Sequence, residues 1–181
     1  MIFSSVAGHL LELDFKPPNN TWRGCAPGYL YEAPVEKQVS KGEGQKIKRN
    51  LQQLARRASL LILWLDCDRE GENIAFEVIS VCREVNPRME VKRARFSALI
   101  SRDIFQAVHN LVQPNENEAS AVDARQEIDL RIGSSFTRLQ TLLLQEKFDW
   151  SDLLPRGRDR MLLSYGPCQF PTLGLIVQRE W

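Results

Sequence analysis

Asp66, Asp68 and Glu70 stand two residues apart in the run Asp66-Cys-Asp-Arg-Glu70-Gly-Glu-Asn, three carboxylates within five positions. With no histidine beside them and no CxxC pair in the chain, the donors on offer are hard oxygens. They suit Mg²⁺ or Mn²⁺ and are wrong for zinc. Magnesium usually takes one or two protein carboxylates, keeps several waters and reaches a phosphate through the rest. The chemistry implied is phosphoryl transfer, in which the metal neutralises charge developing on oxygens. A calcium loop is a poor competitor because no EF-hand spacing follows. An acidic strand end without a metal stays open as the other reading, although like charges this close repel unless something compensates them.

The carboxylates follow the apolar run Leu60-Leu-Ile-Leu-Trp-Leu65, which reads as a buried parallel strand whose carboxyl end opens onto an acidic cup. Alternation along an extended backbone points Asp66, Asp68 and Glu70 to one side, with Gly71 ending the strand in a tight turn. Upstream, Ile47, Leu51, Leu54, Ala55 and Ala58 form one face of an amphipathic helix over 45–58. Lys46, Lys48, Arg49, Arg56 and Arg57 form its solvated face. Downstream, Ile74, Val78, Val81, Cys82 and Val85 line the core face of a helix over 72–85, stopped by Pro87. Residues 89–96 alternate as a further strand carrying Lys92, Arg93 and Arg95. Helix, strand, helix, strand is an α/β unit, expected to close with a right-handed crossover.

Residues 1–6 read as a strand turned by Gly8-His9-Leu10, and Pro17 to Pro34 as an irregular stretch. After Phe96 helices take over, which places a domain boundary near residue 100. Ser101 can cap a short helix with Ile104, Val108 and Leu111 inward, and Pro114 breaks it. A long helix over about 119–146 then turns Ala121, Ala124, Ile128, Ile132, Phe136, Leu139 and Leu143 inward. Arg131, Ser134, Arg138 and Thr141 share another face, where two cations with hydroxyls between them can track a phosphate backbone; a plain polar outer face is the alternative. Arg125 and Asp129, one turn apart, can pair with each other. Residues 149–159 read as a loop, and the chain closes on a turn and a short apolar segment ending at Trp181.

Composition sets limits around these motifs. Hydrophobic content of 43%, charged content of 26% and a net charge of +1 are those of an ordinary globular chain, so any nucleic-acid contact must come from local patches. Cys25, Cys67, Cys82 and Cys168 are scattered, which argues against a structural zinc site and a disulfide framework and fits a reducing compartment. No apolar stretch approaches the roughly 18 residues that span a bilayer. The N-terminal residues lack a basic region and run into Glu12 and Asp14, unlike a signal peptide.

Asp66-Cys-Asp68-Arg-Glu70-Gly-Glu72-Asn-Ile resembles the DxDxEGE signature of the toprim fold as it occurs in type IA DNA topoisomerases. Three further blocks resemble that family in the same order: Ser5-Val-Ala-Gly-His-Leu-Leu11, Val122-Asp-Ala-Arg-Gln-Glu-Ile-Asp-Leu-Arg-Ile-Gly133 with Phe136-Thr-Arg138, and Ser164-Tyr-Gly-Pro-Cys-Gln-Phe-Pro-Thr-Leu173. Their wording is similar to the eukaryotic topoisomerase III group, its alpha branch in particular. DxDxE alone is shared with primases and nucleases; the four ordered blocks are more specific and cover nearly the whole chain.

The resemblance implies an α/β toprim fold, Rossmann-like with a mainly parallel sheet and flanking helices, over residues 1–100. The start of a mainly helical single-strand-DNA-binding domain follows over 101–170, and the start of a further domain over 171–181. It implies that Asp66, Asp68 and Glu70 hold Mg²⁺, assisting cleavage and rejoining of one DNA strand through a phosphotyrosine link. Glu70, Arg69 and Arg93 match catalytic or supporting positions near the scissile phosphate. His9, Arg125, Asp129, Arg131, Arg138 and Gln169 match DNA-contacting positions, with a structural imidazole open for His9. Single-stranded DNA, protein partners of a DNA-repair or recombination complex, a nuclear (alternatively mitochondrial) location and no membrane are the corresponding expectations. The family's first strand, with its Glu and Lys, and its nucleophilic tyrosine in a Tyr-x-Arg-Thr context have no counterpart in the 181 residues. Ala98-Leu-Ile stands where the family has Glu-Ile-Thr. The chain is thus expected to be an amino-terminal portion, incapable alone of cleavage through tyrosine. The rival readings are a non-catalytic module that binds single-stranded DNA or a protein partner, and a toprim nuclease or primase.

Overall fold

The computed structural model describes residues 1–148 and 162–181; the loop expected over 149–159 lies outside the described residues. Regular structure begins with β1 (Leu11–Phe15) and β2 (Val35–Val39), which pair with each other. Hydrogen bonds from Lys16 N–H to the Pro34 carbonyl and from Ser40 N–H to the Leu10 carbonyl show that they run antiparallel. Between them lies a 3-10 turn, Pro27–Tyr31, with Pro at its start, where a missing N–H costs nothing. The strand expected over 1–6 does not form. Those residues have no regular structure, and five of the six are exposed, so no neighbour supplies the backbone partners a strand requires.

The expected α/β unit follows as α1 (Glu43–Ala55), β3 (Leu60–Leu63), α2 (Arg69–Arg83) and β4 (Glu90–Arg93). β3 and β4 are parallel, with Leu60 opposite Glu90 and Leu63 opposite Arg93. Leu51 and Ala55 of α1, Leu63 of β3, Val91 of β4 and Ala75, Val78, Ile79, Val81 and Cys82 of α2 form the apolar core. Burial there pushes the Cys82 thiol pKa up. Asn86 fastens the end of α1, its amide donating to the Ala55 and Ala58 carbonyls at 2.9 and 2.8 Å.

Two local expectations change here. β3 ends at Leu63, so Asp66, Asp68 and Glu70 are not on an extended strand and alternation does not aim them. Gly71 does not end a strand but lies in the first turn of α2, where a Cβ would come within 1.9 Å of the Asp66 carbonyl oxygen. Only glycine lets the helix start so close to the incoming backbone.

α3 (Ser101–His109) and α4 (Glu116–Lys147) follow, and α5 (Gln169–Glu180) closes the chain. Ser101 is inside α3, not its cap; Ile100 holds the cap position without a side-chain hydrogen bond. Val108, expected inward, is exposed while Ala107 is buried. Asn115 starts α4, its Oδ1 accepting from Asn117 N–H and Glu118 N–H at 3.1 and 3.4 Å.

Two compact units result: residues 1–12 with 37–125, and residues 13–36 with 126–181. In the second unit Phe15, Leu30 and Ala33 form a small core with Leu130 against it. There the long helix inverts its expected faces: Ser135, Arg138 and Thr141 are buried, while Ile128, Phe136, Leu139 and Leu143 are exposed. The cause lies in the irregular segments, whose carbonyls have no ladder to join. Arg131 donates to the Leu30, Tyr31 and Ala33 carbonyls, Ser135 to Pro27, Arg138 to Asn19 and Gln140 to Leu163.

Candidate functional site

In the first unit, the turn from β3 into α2 carries the signature carboxylates. Asp68 is the N-cap of α2, its Oδ1 accepting the Gly71 N–H at 2.8 Å, and Glu70 and Glu72 stand in the first turn. Acidic groups are favoured there by the helix dipole and by the unsatisfied N–H groups. Asp66, Asp68 and Arg69 are exposed.

Glu70 is held on both carboxylate oxygens. Oε1 accepts from the Arg125 guanidinium, and Oε2 lies 3.2 Å from His9 Nε2. The other ring nitrogen, His9 Nδ1, lies 3.2 Å from Oε1 of Glu77. Glu77 is a buried carboxylate whose Oε2 also accepts the Leu10 and Leu11 N–H groups at 2.7 and 3.2 Å. Glu77, His9, Glu70 and Arg125 form a continuous chain within one compact unit. Arg125 pairs with Glu70 and not with Asp129, so the expected one-turn pairing gives way to a tertiary one.

Arg93 stands apart from the other expected site residues because it has no access to solvent. Its Nε donates to Glu72 Oε1 at 3.0 Å, and both side chains are fully buried. Its terminal nitrogens donate to the carbonyls of Leu63, Leu65, Ala94 and Asp66. The second Glu72 oxygen accepts the Asn115 N–H at 3.0 Å. Arg93 therefore organises the backbone that presents Asp66, and its guanidinium is spent inside the chain.

In the second unit, Arg131 is bound to carbonyls and to Glu127, and Arg138 is buried with Nη2 on Asn19. Thr141 exchanges hydrogen bonds with Leu163. The face expected to track phosphates is thus a packing face, although Arg138 Nη1 has no partner among the described residues. Asp129 is half-buried, and Gln169 is exposed at the first position of α5.

Among the described residues, no three His, Cys, Asp or Glu side chains are gathered as a ready metal cluster. The donor chemistry nevertheless fits a hard cation. Two exposed aspartates flank the turn, and the third carboxylate already holds a positive guanidinium where a metal charge would be welcome. Sequence reasoning passed over Glu77 and the buried role of Glu72. The signal for Glu77 was its spacing of seven from Glu70, which puts both on one helix face two turns apart.

The Toprim domain family model matches residues 2–99, more than half of the chain. The chain belongs to the toprim family. Toprim domains bind Mg²⁺ generally, which agrees with the chemistry of the acidic turn. The DNA topoisomerase model matches residues 113–181, after the toprim span. The chain is 56% identical over its whole length to DNA topoisomerase 3-alpha of Arabidopsis thaliana. It is 46% identical over 99% of its length to DNA topoisomerase 3 of Dictyostelium discoideum and to DNA topoisomerase 3-alpha of Homo sapiens. It covers 19%, 24% and 17% of those three, so it spans about a fifth of the length of the curated relatives it matches. The full-length topoisomerase I structure from Thermotoga maritima superposes with a TM-score of 0.61 at 26% identity, covering 96% of this chain and 25% of that one. The expected toprim fold and the likeness to type IA topoisomerases of the topoisomerase 3 group both hold.

Proposed function

We propose that these residues are the amino-terminal part of a type IA DNA topoisomerase, which changes DNA topology by transiently cleaving and rejoining one strand through a phosphotyrosine link. The observation that carries the reading is the Asp66-Asp68-Glu70 turn, with Glu70 fixed by His9 on one side and facing Arg125 on the other. Asp66, Asp68 and Glu70 would hold Mg²⁺, which would supply charge neutralisation on phosphate oxygens. In this reading Arg69, exposed beside these carboxylates, contacts the phosphate. Arg93 acts through Asp66 as a positioning residue. Arg125, Asp129 and Gln169 supply DNA contacts, and Arg131 and Arg138 build the helical segment that presents them.

Tyr165 is wedged between Phe136 and Phe170, with ring centroids 4.8 and 5.0 Å away, and Tyr29 and Tyr31 lie in the 3-10 turn. None has the Arg-Thr neighbours of the family's nucleophile, so in this reading the 181 residues hold the metal and DNA while the attacking tyrosine belongs elsewhere. The toprim part is residues 1–100, the single-strand-binding part 101–170, and 171–181 open a further domain. A nuclear location and partners in DNA repair or recombination follow from the same reading. Among the described residues no helix is long and apolar enough to cross a membrane.

The test pairs two assays of the 181-residue chain. It should bind a single-stranded oligonucleotide with an affinity that falls steeply with salt, binding that Mg²⁺ and intact Asp66 and Asp68 strengthen. It should not relax supercoiled plasmid; robust relaxation would overturn the assignment of the nucleophile to another segment. One observation favours a binding module without chemistry: both Glu70 oxygens are occupied by protein groups. Oligonucleotide binding indifferent to Asp66→Asn would support that rival.

A further inference from the structure

The two partners of Glu70 are unequal. His9 is anchored from behind by Glu77, a carboxylate 3% exposed that is itself fixed by two backbone N–H groups. Arg125 has a side chain 59% exposed, reaches Glu70 from α4, and has no other ion pair among the described residues. One oxygen of Glu70 therefore faces a fixed group and the other an exchangeable cation. An exposed arginine–carboxylate pair is weak and screened by salt, so a divalent ion competes with it easily.

We propose that Arg125 is an internal counter-ion that occupies Glu70 until a divalent cation displaces it, and that the released guanidinium then takes a DNA phosphate. This rests on the reading of Asp66, Asp68 and Glu70 as the metal site. Glu70 does not have to move in the exchange, because His9 keeps its Oε2 in place. Among the described residues neither the Asp66 nor the Asp68 side chain is paired with a cation, so there the competition is confined to Oε1 of Glu70. Reciprocity follows: if metal frees Arg125 for phosphate, single-stranded DNA must tighten metal binding by the same factor.

The experiment measures Mn²⁺ binding to the 181-residue chain by the electron paramagnetic resonance of free Mn²⁺, with and without a single-stranded oligonucleotide. Arg125→Gln should bind Mn²⁺ about two- to fivefold more tightly than the unsubstituted chain at low ionic strength, the gap closing as salt is raised. It should also lose most of the mutual strengthening between Mn²⁺ and oligonucleotide. Arg125→Lys, which keeps the charge, should stay close to the unsubstituted chain, and far-ultraviolet circular dichroism of each variant controls for folding. Unchanged or weaker Mn²⁺ binding by a folded Arg125→Gln chain would overturn the proposal, since Arg125 would then be orienting Glu70 and not competing for it. Failure of the underlying metal reading is separately visible. In that case Asp66→Asn with Asp68→Asn would leave Mn²⁺ binding as it is in the unsubstituted chain.

Discussion

Helix α2 buries Ala75, Val78, Ile79, Val81 and Cys82 and leaves Ser80 and Arg83 outside, whereas the second half of α4 buries Ser135, Arg138 and Thr141 and leaves Phe136, Leu139 and Leu143 outside. Both are helices with a clear apolar period, and only one follows it. α2 meets a parallel strand pair, whose strands are paired with each other and which presents apolar side chains apart from Arg93, itself matched by Glu72 of α2. The buried side of α4 meets irregular chain with carbonyls in need of donors, so a polar face is the one that fits. What a helix buries is set by whether its neighbour has already paired its backbone.

Each region can be broken in its own way, and the largest effect belongs to the fully buried ion pair of the first unit. Arg93→Met leaves Glu72 charged and buried without its partner, which costs about 3–5 kcal/mol of stability. Replacing both at once, Arg93→Met with Glu72→Leu, should recover much of that loss, because a hydrophobic pair of similar volume is often neutral. Urea unfolding midpoints of the single and double variants check this. A nearly neutral Arg93→Met would mean that the turn does not depend on its guanidinium.

The contrast also explains what the sequence could and could not reveal. The α/β unit was legible because apolar spacing at 47, 51 and 55 and at 78, 81 and 82 reports burial directly when the partner surface is apolar, although Ile74, expected on the same face, is only half-buried. The place of the acidic turn was legible as well, since Asp68 and Glu70 stand together at the start of α2, directly after the apolar strand. Their geometry was not: aiming them by strand alternation required β3 to continue past Leu63, and the backbone turns into a helix instead. The His9–Glu70 and Arg125–Glu70 contacts join residues 61 and 55 positions apart, a distance no local pattern carries. Arg131 and Arg138 look like phosphate ligands in sequence because the same guanidinium donors serve backbone carbonyls equally well.

A smaller effect tests the inverted face of α4. Arg138→Met removes the donor to the Asn19 carbonyl from a buried site and should cost about 1–3 kcal/mol. Leu139→Ser, one residue along on the exposed side, should change stability by no more than about 0.5 kcal/mol. Unfolding midpoints in the opposite order would show that the apolar stripe, not the polar one, is the buried face in solution.

The smallest effect sharpens the apolar side of the comparison through Cys82. Burial raises the pKa of this thiol from its ordinary value of 9.0, because the core disfavours the thiolate. Above pH 9 the unfolded chain gives up that proton while the folded chain retains it. The folded state then binds more protons than the unfolded one, so stability falls as pH rises. The contribution of Cys82 is complete below pH 9 and is lost as pH climbs towards the raised folded value. Comparing unfolding midpoints at pH 8 and pH 10 should therefore show a smaller drop for Cys82→Ala than for the unsubstituted chain, even though the cavity makes the variant less stable at both. Equal drops would mean that water reaches the thiol, and the core around α2 would then be looser than its packing against β3 and β4 implies.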